Sequence, residues 1–89
     1  MSTVFIALQA NEETRPIIEA ILQDNPNAVV DEQPAMVKIN ADGRLVVRRE
    51  TIEEIIGRDY DLQELQVNMI TMSGNLDQTD DEIILFWKS

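Results

Sequence analysis

The chain has 89 residues, the size of one small domain, and its seventeen acidic residues against seven basic ones give a net charge of −10. Histidine and cysteine are both absent, which excludes disulfides, thiolate chemistry and the commonest general base. Phosphate recognition requires a positive surface, so the composition argues against nucleic acid as a partner. With no apolar run of about 20 residues and no signal sequence, we expect a single cytoplasmic domain over residues 1–89, without membrane association.

The first strand and helix are predicted from apolar spacing and from two prolines. Residues 3–8 are β-branched and apolar, which is typical of a strand. A helix is expected to begin at Asn11 or Thr14, and Pro16 favours Thr14 because proline is tolerated only in a first turn. The helix ends before Pro26, since the residue preceding proline avoids the α region. Its apolar residues recur at helical spacing and predict a buried face: Ile17, Ile18, Ile21 and Leu22.

A β-hairpin is the strongest short-range prediction in the middle of the chain. After a short strand at residues 28–31, apolar and polar residues alternate over 36–39, and a second apolar run covers 45–48. The turn Asp42-Gly43 lies between these two runs. An Asp-Gly turn flanked by apolar runs predicts that they pair as neighbouring antiparallel strands.

A short helix is predicted next, at the centre of the chain. Thr51 and Glu54 have the spacing of a capping box, and Gly57 supplies the residue that commonly ends a helix. Glu50, Glu53 and Glu54 could form a metal or acid–base cluster, but negative charge at a helix N-terminus is the favoured interpretation.

The segment after this helix is predicted to begin with one further helical turn at residues 61–64. Residues 65–70 then alternate in polarity, which predicts a half-buried strand with Leu65, Val67 and Met69 on its buried side.

The end of the chain completes the predicted fold. A turn is expected at residues 73–75, a solvated acidic loop at 77–81, and a last strand at 83–87. These elements predict a small single domain of the α+β class, with two βαββ-like halves and short helices packed on a mostly antiparallel sheet.

At this point the chain shows a resemblance that covers nearly its whole length. Residues 5–12, 24–26, 34–39, 56–61 and 67–70 closely resemble the regulatory (effector, or coupling) component of bacterial multicomponent phenol hydroxylases. The wider family includes the regulatory proteins of methane and toluene monooxygenases, which share the Ile-Gly-Arg-aromatic pattern seen here. No single motif carries the resemblance, and Pro16 looks like a departure from the phenol-hydroxylase pattern.

This resemblance implies a protein without cofactors and without catalytic residues of its own. Its partner would be a carboxylate-bridged diiron hydroxylase oligomer, which works alongside a flavin/iron–sulfur reductase. Binding would couple electron transfer, oxygen activation and substrate access in phenol hydroxylation. The acidic composition is compatible with such a surface-binding protein.

The candidate contact residues also come from the resemblance. In the methane branch, polar residues just ahead of the Ile-Gly-Arg segment lie at the interface, and the matching positions here are Arg48, Arg49, Glu50 and Thr51. Arginine suits an interface because it is planar, multidentate and weakly hydrated. Arg49 could instead pair with a carboxylate of its own surface, and both possibilities stay open.

A second group of candidates lies in the segment predicted as a strand. The amide of Asn68 is expected to face the partner. Met69 and Met72 fit an adaptable contact surface, although burial preference favours the core. Asn68, for its amide, and Met69, for its adaptable side chain, are included among the candidate contact residues.

Two other functions remain open on the residues alone. A small-molecule-sensing module of the βαββαβ type would show a defined pocket. A small acid–base enzyme would need two carboxylates that converge in a cleft. A pocket lined only by apolar residues would count against the enzyme.

We predict that the purified protein carries no iron, zinc or organic cofactor, because histidine and cysteine ligands are absent from the chain. Elemental analysis after chelator treatment checks this. Stoichiometric metal in the treated protein would contradict it.

Overall fold

In the computed structural model, residues 3–87 are described, and they form two antiparallel sheets with helices packed against them. The elements in chain order are β1 (Thr3–Gln9), α1 (Arg15–Asp24), β2 (Val29–Gln33), β3 (Met36–Asp42), β4 (Arg44–Arg48), α2 (Arg49–Ile56), a 3₁₀ turn (Leu62–Glu64), α3 (Leu65–Asn68), β5 (Met69–Ser73), β6 (Asn75–Gln78) and β7 (Glu82–Phe86). The predicted α+β class is confirmed.

The strands divide into a four-stranded and a three-stranded sheet. The first has the order β2-β3-β1-β5 and the second the order β4-β7-β6. All five pairings are antiparallel, and within residues 3–87 none joins the two sheets. The sequence predicts one mostly antiparallel sheet, whereas the structure has two antiparallel sheets, which are held together by side-chain packing.

The predicted hairpin at Asp42-Gly43 is wrong. β3 pairs with β1 on one side and with β2 on the other, so neither of its edges is free for β4. β4 pairs with β7 in the second sheet. Gly43, with φ of 78°, marks the point where the chain crosses between the sheets. The tight hairpin of this region joins β2 to β3, with Gln33 opposite Met36.

The start of α1 agrees with the predicted position of Thr14, but the chemistry of the cap differs. Thr14 is the residue before the helix, yet its hydroxyl donates to the backbone carbonyl of Gln9 at 2.7 Å and caps no helical N–H. The side-chain oxygen of Asn11 accepts from the Thr14 N–H at 2.9 Å. Pro16 lies in the first turn, as expected. The helix buries Ile17, Ala20 and Ile21, while Ile18 and Leu22 are partly buried.

The predicted capping box of Thr51 and Glu54 is also wrong. β4 continues directly into α2, so the helix begins at Arg49 and both residues lie inside it. The N–H of Arg49 donates to the backbone carbonyl of Asp81 at 2.9 Å. The backbone carbonyl of Asp81 thus accepts a hydrogen bond from the first helical N–H. The Thr51 side chain does not act as the cap, and it is buried.

The capping box of this region lies ten residues further along the chain, at Asp61 and Glu64. The carboxylate of Asp61 accepts from the N–H of Gln63 at 2.9 Å, and that of Glu64 accepts from the N–H of Asp61 at 3.0 Å. The predicted turn at residues 61–64 is confirmed as the 3₁₀ turn. Gly57 ends α2 in the left-handed conformation, with φ of 74°, as predicted.

The predicted strand over residues 65–70 is wrong in its first part. Residues 65–68 form α3, and β5 begins only at Met69. Leu65 and Asn68 are buried at helical spacing, whereas Val67 is 73% exposed instead of belonging to the core. The capped turn before Leu65 continues into helix, and this local structure overrides the alternating polarity.

The segment predicted as an acidic loop is partly a strand. β6 covers residues 75–78 and pairs with β7 at the edge of the second sheet, with every residue exposed. Gly74 connects β5 to β6 with φ of 126°, and a Cβ atom there would lie 2.9 Å from Cγ1 of Val4. Glycine is therefore required where the chain passes from β5 of the first sheet to β6 of the second.

Asn25 joins α1 to the second sheet. Its buried amide nitrogen donates to the carbonyls of Ile21 at 2.7 Å and Val46 at 2.6 Å, and its oxygen accepts from the Val46 N–H at 3.0 Å. The side chain therefore pairs with the edge of β4 that β7 leaves free, much as a neighbouring strand would.

We predict that Asn25→Ala lowers the free energy of unfolding by about 2–3 kcal/mol, because it leaves two backbone groups of Val46 without partners. The exposed neighbour Asn27 is the matched control, and Asn27→Ala should change stability by less than about 0.5 kcal/mol. Urea denaturation of both variants measures the difference. Equal midpoints would show that the Asn25 bridge does not stabilise the fold.

Candidate functional site

The four candidate contact residues ahead of the Ile-Gly-Arg segment, residues 48–51, lie where β4 runs into α2. Arg48 is the last residue of β4 and Arg49 the first of α2. Their side chains are 57% and 39% exposed, so both reach solvent. Glu50 is exposed and Thr51 is buried beside it. We call these four residues the arginine edge.

Arg49 is held by acidic groups of its own surface. Its Nη2 atom lies 2.8 Å from Oδ1 of Asp81, and its Nε atom lies 4.0 Å from Oε2 of Glu53. The self-pairing considered from the sequence is therefore confirmed. An ion pair this exposed contributes little stability, usually no more than about 1 kcal/mol. The guanidinium can consequently exchange Asp81 for another carboxylate or carbonyl at small cost.

An open depression of about 520 Å³ lies between the start of α2 and the turn that joins β6 to β7. Arg48 contributes to one wall, with its Nε atom 3.9 Å from Oε2 of Glu82. The depression is lined by Arg48, Arg49, Glu50, Glu53, Asp81 and Glu82. Two basic and four acidic side chains thus line it, and such a charged lining suits recognition of a polar protein surface.

The Ile-Gly-Arg-aromatic pattern has a structural role in this fold. After Gly57, the guanidinium of Arg58 donates to the carbonyl of Asp59 at 2.9 Å, and the N–H of Tyr60 donates to Oε2 of Glu53 at 2.9 Å. The Tyr60 ring joins the core. The pattern therefore turns the chain back against α2 and orients Glu53 towards Arg49.

Burial raises the pKa of Tyr60 to about 12, and the nearby carboxylate of Glu64 adds to this effect. The folded protein therefore favours the neutral phenol. Because the folded pKa lies above the ordinary value of 10.0, the associated stability is fully present below that value. It is lost as the pH rises towards 12.

A second depression, of about 640 Å³, continues from the first along the same side of the protein. It shares Arg49 and Glu53 with the first depression, and its other lining residues are Asp59, Tyr60, Asp61, Glu64 and Asp80. Within residues 3–87, however, no three acidic side chains are grouped closely enough to hold a metal ion. Glu53 is occupied by Arg49 and Tyr60. Of the three carboxylates that the sequence predicts as charge at the helix N-terminus, only Glu50 lies in the first turn of α2, whereas Glu53 and Glu54 lie further along the helix.

The structure does not bring Asn68 and Met69 into the depression at the arginine edge. Asn68 is buried, and its oxygen accepts from Nδ2 of Asn11 at 3.0 Å while its nitrogen donates to Glu13 at 3.4 Å. This amide ties α3 to the loop between β1 and α1. Met69 is partly buried against the core, and so is Met72.

Sequence reasoning missed the partners of the arginines. Asp81 and Glu82 lie more than thirty residues further along the chain, at the end of the segment predicted as a solvated loop and just after it. The signal was the opposite charge of Arg48-Arg49 and Asp81-Glu82. These charges alone do not identify the pairs. The pairing of β4 with β7 does, because it places Arg48 directly opposite Glu82.

The sequence pattern of the MmoB/DmpM family matches residues 2–86. The chain belongs to this family. It is 52% identical over 88 residues to the phenol 2-monooxygenase stimulatory component DmpM of Pseudomonas sp. (strain CF600), with 99% of this chain and 98% of that protein covered. It is 27% identical over 84 residues to the effector subunit of the alkene monooxygenase system of Xanthobacter autotrophicus (strain ATCC BAA-1158 / Py2), covering 92% and 83%.

Solved structures of this family have the same fold. A structure of the phenol hydroxylase–regulatory protein complex contains a chain that matches with a TM-score of 0.94 at 48% identity, covering 98% of this chain and 100% of that one. The soluble methane monooxygenase regulatory protein B matches with a TM-score of 0.76 at 23% identity, over 97% of this chain and 65% of that one, and shares the fold. The family predicted from the sequence is confirmed.

Among residues 3–87, no helix has the length and apolar character needed to cross a bilayer.

Proposed function

We propose that this chain is the regulatory component of a phenol-oxidising multicomponent monooxygenase and that it binds the diiron hydroxylase of that system. The observation that carries this proposal is the 52% identity with a phenol 2-monooxygenase stimulatory component along nearly the full length of both chains. The chain itself is non-catalytic, and the hydroxylase performs the oxidation. We place it in the cytoplasm, beside the hydroxylase and a flavin/iron–sulfur reductase.

The regulatory effect follows from a preference for one hydroxylase conformation. An effector shifts a conformational equilibrium only by the difference between its affinities for the two states. A regulatory protein without redox groups can therefore couple electron delivery and oxygen activation by stabilising the state in which they proceed together. Its influence saturates when every hydroxylase site is occupied.

The arginine edge is the part of the surface that we assign to the hydroxylase contact. Arg48, Arg49 and Glu50 are accessible there, and the ion pair between Arg49 and Asp81 is weak enough to be exchanged. Thr51 is buried below them and supports the first turn of α2. Arginine forms multidentate hydrogen bonds with carboxylates and carbonyls, so Arg49 is the residue expected to lose most on truncation.

Asn68 and Met69 have an indirect role in the proposed contact region. Both are largely covered in the free protein. We therefore assign them to holding α3 and the start of β5 in place, so that their exposed neighbours meet the partner. The hydrogen bond from Asn11 to Asn68 fixes this segment against the loop between β1 and α1.

The two other functions considered from the sequence are not supported. The relatives are regulatory or effector components of monooxygenases, which disfavours a small-molecule-sensing module. The depressions beside the arginine edge are open and lined mainly by charged groups. Glu53 and Asp81 are both engaged with Arg49, so they do not form a free acid–base pair.

Titration of purified hydroxylase and reductase with this chain tests the function. Phenol turnover should rise with added protein and then saturate. If turnover and coupling of electron consumption to product stay unchanged at every ratio, the proposed function is wrong.

The contact is tested with Arg49→Ala, using Arg15→Ala, at an exposed residue of α1, as the control of equal charge change. We predict that Arg49→Ala weakens hydroxylase binding by roughly 1–3 kcal/mol, so that more protein is needed for the same stimulation. Arg15→Ala should bind like the wild type, and circular dichroism should show both variants folded. Equal affinities for the two variants would remove Arg49 from the interface.

A further inference from the structure

Arg49 makes the shortest ion pair among residues 3–87. Its Nη2 atom lies 2.8 Å from Oδ1 of Asp81, which is within hydrogen-bonding distance. The other ion pairs of the described residues join atoms that are 3.9 or 4.0 Å apart. The arginine that we assign to the hydroxylase contact is therefore the one that the protein's own surface binds most closely.

The two carboxylates beside Arg49 differ in exposure and in their other contacts. The Glu53 side chain is 30% exposed, and its Oε2 atom accepts a hydrogen bond from the Tyr60 N–H at 2.9 Å. The Asp81 side chain is 79% exposed, and within residues 3–87 its carboxylate contacts only Arg49. Glu53 thus supports the guanidinium from the protein side, whereas Asp81 covers it on the side that is open to solvent.

The Asp81 carboxylate is not needed to hold the turn that carries it. The Thr79 hydroxyl accepts from the N–H groups of Asp81 and Glu82, both at 3.2 Å. The Thr79 N–H donates to the carbonyl of Glu82, and the Arg49 N–H donates to the carbonyl of Asp81, both at 2.9 Å. These contacts fix the turn against α2, so the carboxylate acts on the Arg49 side chain alone.

A partner that binds the Arg49 guanidinium has to compete with this carboxylate. Arginine recognises planar acceptors through pairs of parallel N–H groups. At Arg49, Asp81 contacts Nη2 and Glu53 lies beside Nε, so a paired acceptor meets a carboxylate that is already in place. An exposed ion pair is weak, and its loss therefore lowers the partner's affinity by a factor of about two to five.

We propose that Asp81 is an intramolecular competitor of the diiron hydroxylase for Arg49. Its carboxylate covers the guanidinium in the free protein and is displaced when a hydrogen-bond acceptor of the hydroxylase binds there. This inference rests on the proposed function and describes how the same contact is regulated. A surface that offers no acceptor leaves the ion pair unbroken and gains nothing from Arg49, so the competitor also favours the correct partner.

The opposite role, in which Asp81 orients Arg49 for its partner, fits the contacts less well. The guanidinium already has support on its inner side from Glu53, which the Tyr60 N–H holds in place. Asp81 lies on the exposed side, which is the side that a partner approaches. A group in that position has to leave before the partner binds.

The test compares Asp81→Ala with Asp77→Ala in binding to the purified hydroxylase. Asp77 is an exposed residue of β6 and lines neither depression that contains Arg49, so each variant removes one negative charge. Asp81→Ala should bind about two to five times more tightly than Asp77→Ala. Circular dichroism should show both variants folded. Asp81→Asn, which removes the charge and keeps the shape, replaces Asp81→Ala if that variant does not fold.

The same pair of substitutions in the Arg49→Ala background isolates the competition. Without the guanidinium, the Asp81 carboxylate has nothing to cover, so Asp81→Ala should then change the affinity no more than Asp77→Ala does. A gain from Asp81→Ala that persists without Arg49 would show an effect of general charge and would overturn the proposal.

The remaining outcomes separate this proposal from the proposed function. Equal affinities of Asp81→Ala and Asp77→Ala, or weaker binding by Asp81→Ala, would overturn the competitor role and leave the proposed function standing. Failure of the wild type to bind the hydroxylase would overturn both.

Discussion

The fold depends on an apolar core enclosed between two sheets that share no strand pairing within residues 3–87. Backbone hydrogen bonds stabilise each sheet separately, so burial of apolar surface must hold the sheets together. The fully buried side chains that do this come from both sheets and from the helices: Ile6, Leu8, Ile21, Ile39, Leu45, Val47, Ile52 and Leu85. Asn25 adds the polar link between α1 and β4, and glycines stand where β3 leads into β4 and where β5 leads into β6.

The same arrangement positions the proposed interface. Since β4 runs directly into α2, the arginine edge is attached to a strand of the second sheet, and the backbone of Arg49 is bound to Asp81 in the turn before β7. Gln66 of α3, the helix that leads into β5 of the other sheet, lines a depression with Asp80, and Asp80 also lines the depression that contains Arg49 and Glu53. The packing of the two sheets therefore sets the distance between the arginine edge and α3. An effector that selects one partner conformation benefits from such a fixed spacing.

Much of the fold could be predicted from local sequence, and the errors lie where distant segments decide the structure. The end of α1 before Pro26 and the end of α2 at Gly57 follow from backbone restrictions, and both predictions are confirmed. The Asp42-Gly43 hairpin failed because β1 and β2 occupy both edges of β3. The predicted cap at Thr51 is wrong because the backbone carbonyl of Asp81 accepts the hydrogen bond from the N–H of Arg49 at the start of α2. The family resemblance indicated the arginine edge, but its ion pairs with Asp81 and Glu82 depend on strand pairing that the local pattern does not contain.

Hydrogen–deuterium exchange of the chain, free and bound to the hydroxylase, tests the proposed face most directly. Amides protected by an interface exchange more slowly in the complex. We predict slower exchange at residues 48–51 and 66–71, with no change at the β2 edge, residues 29–33. Protection of the β2 edge together with unchanged exchange at the first two segments would place the hydroxylase on the opposite side of the domain and contradict this account.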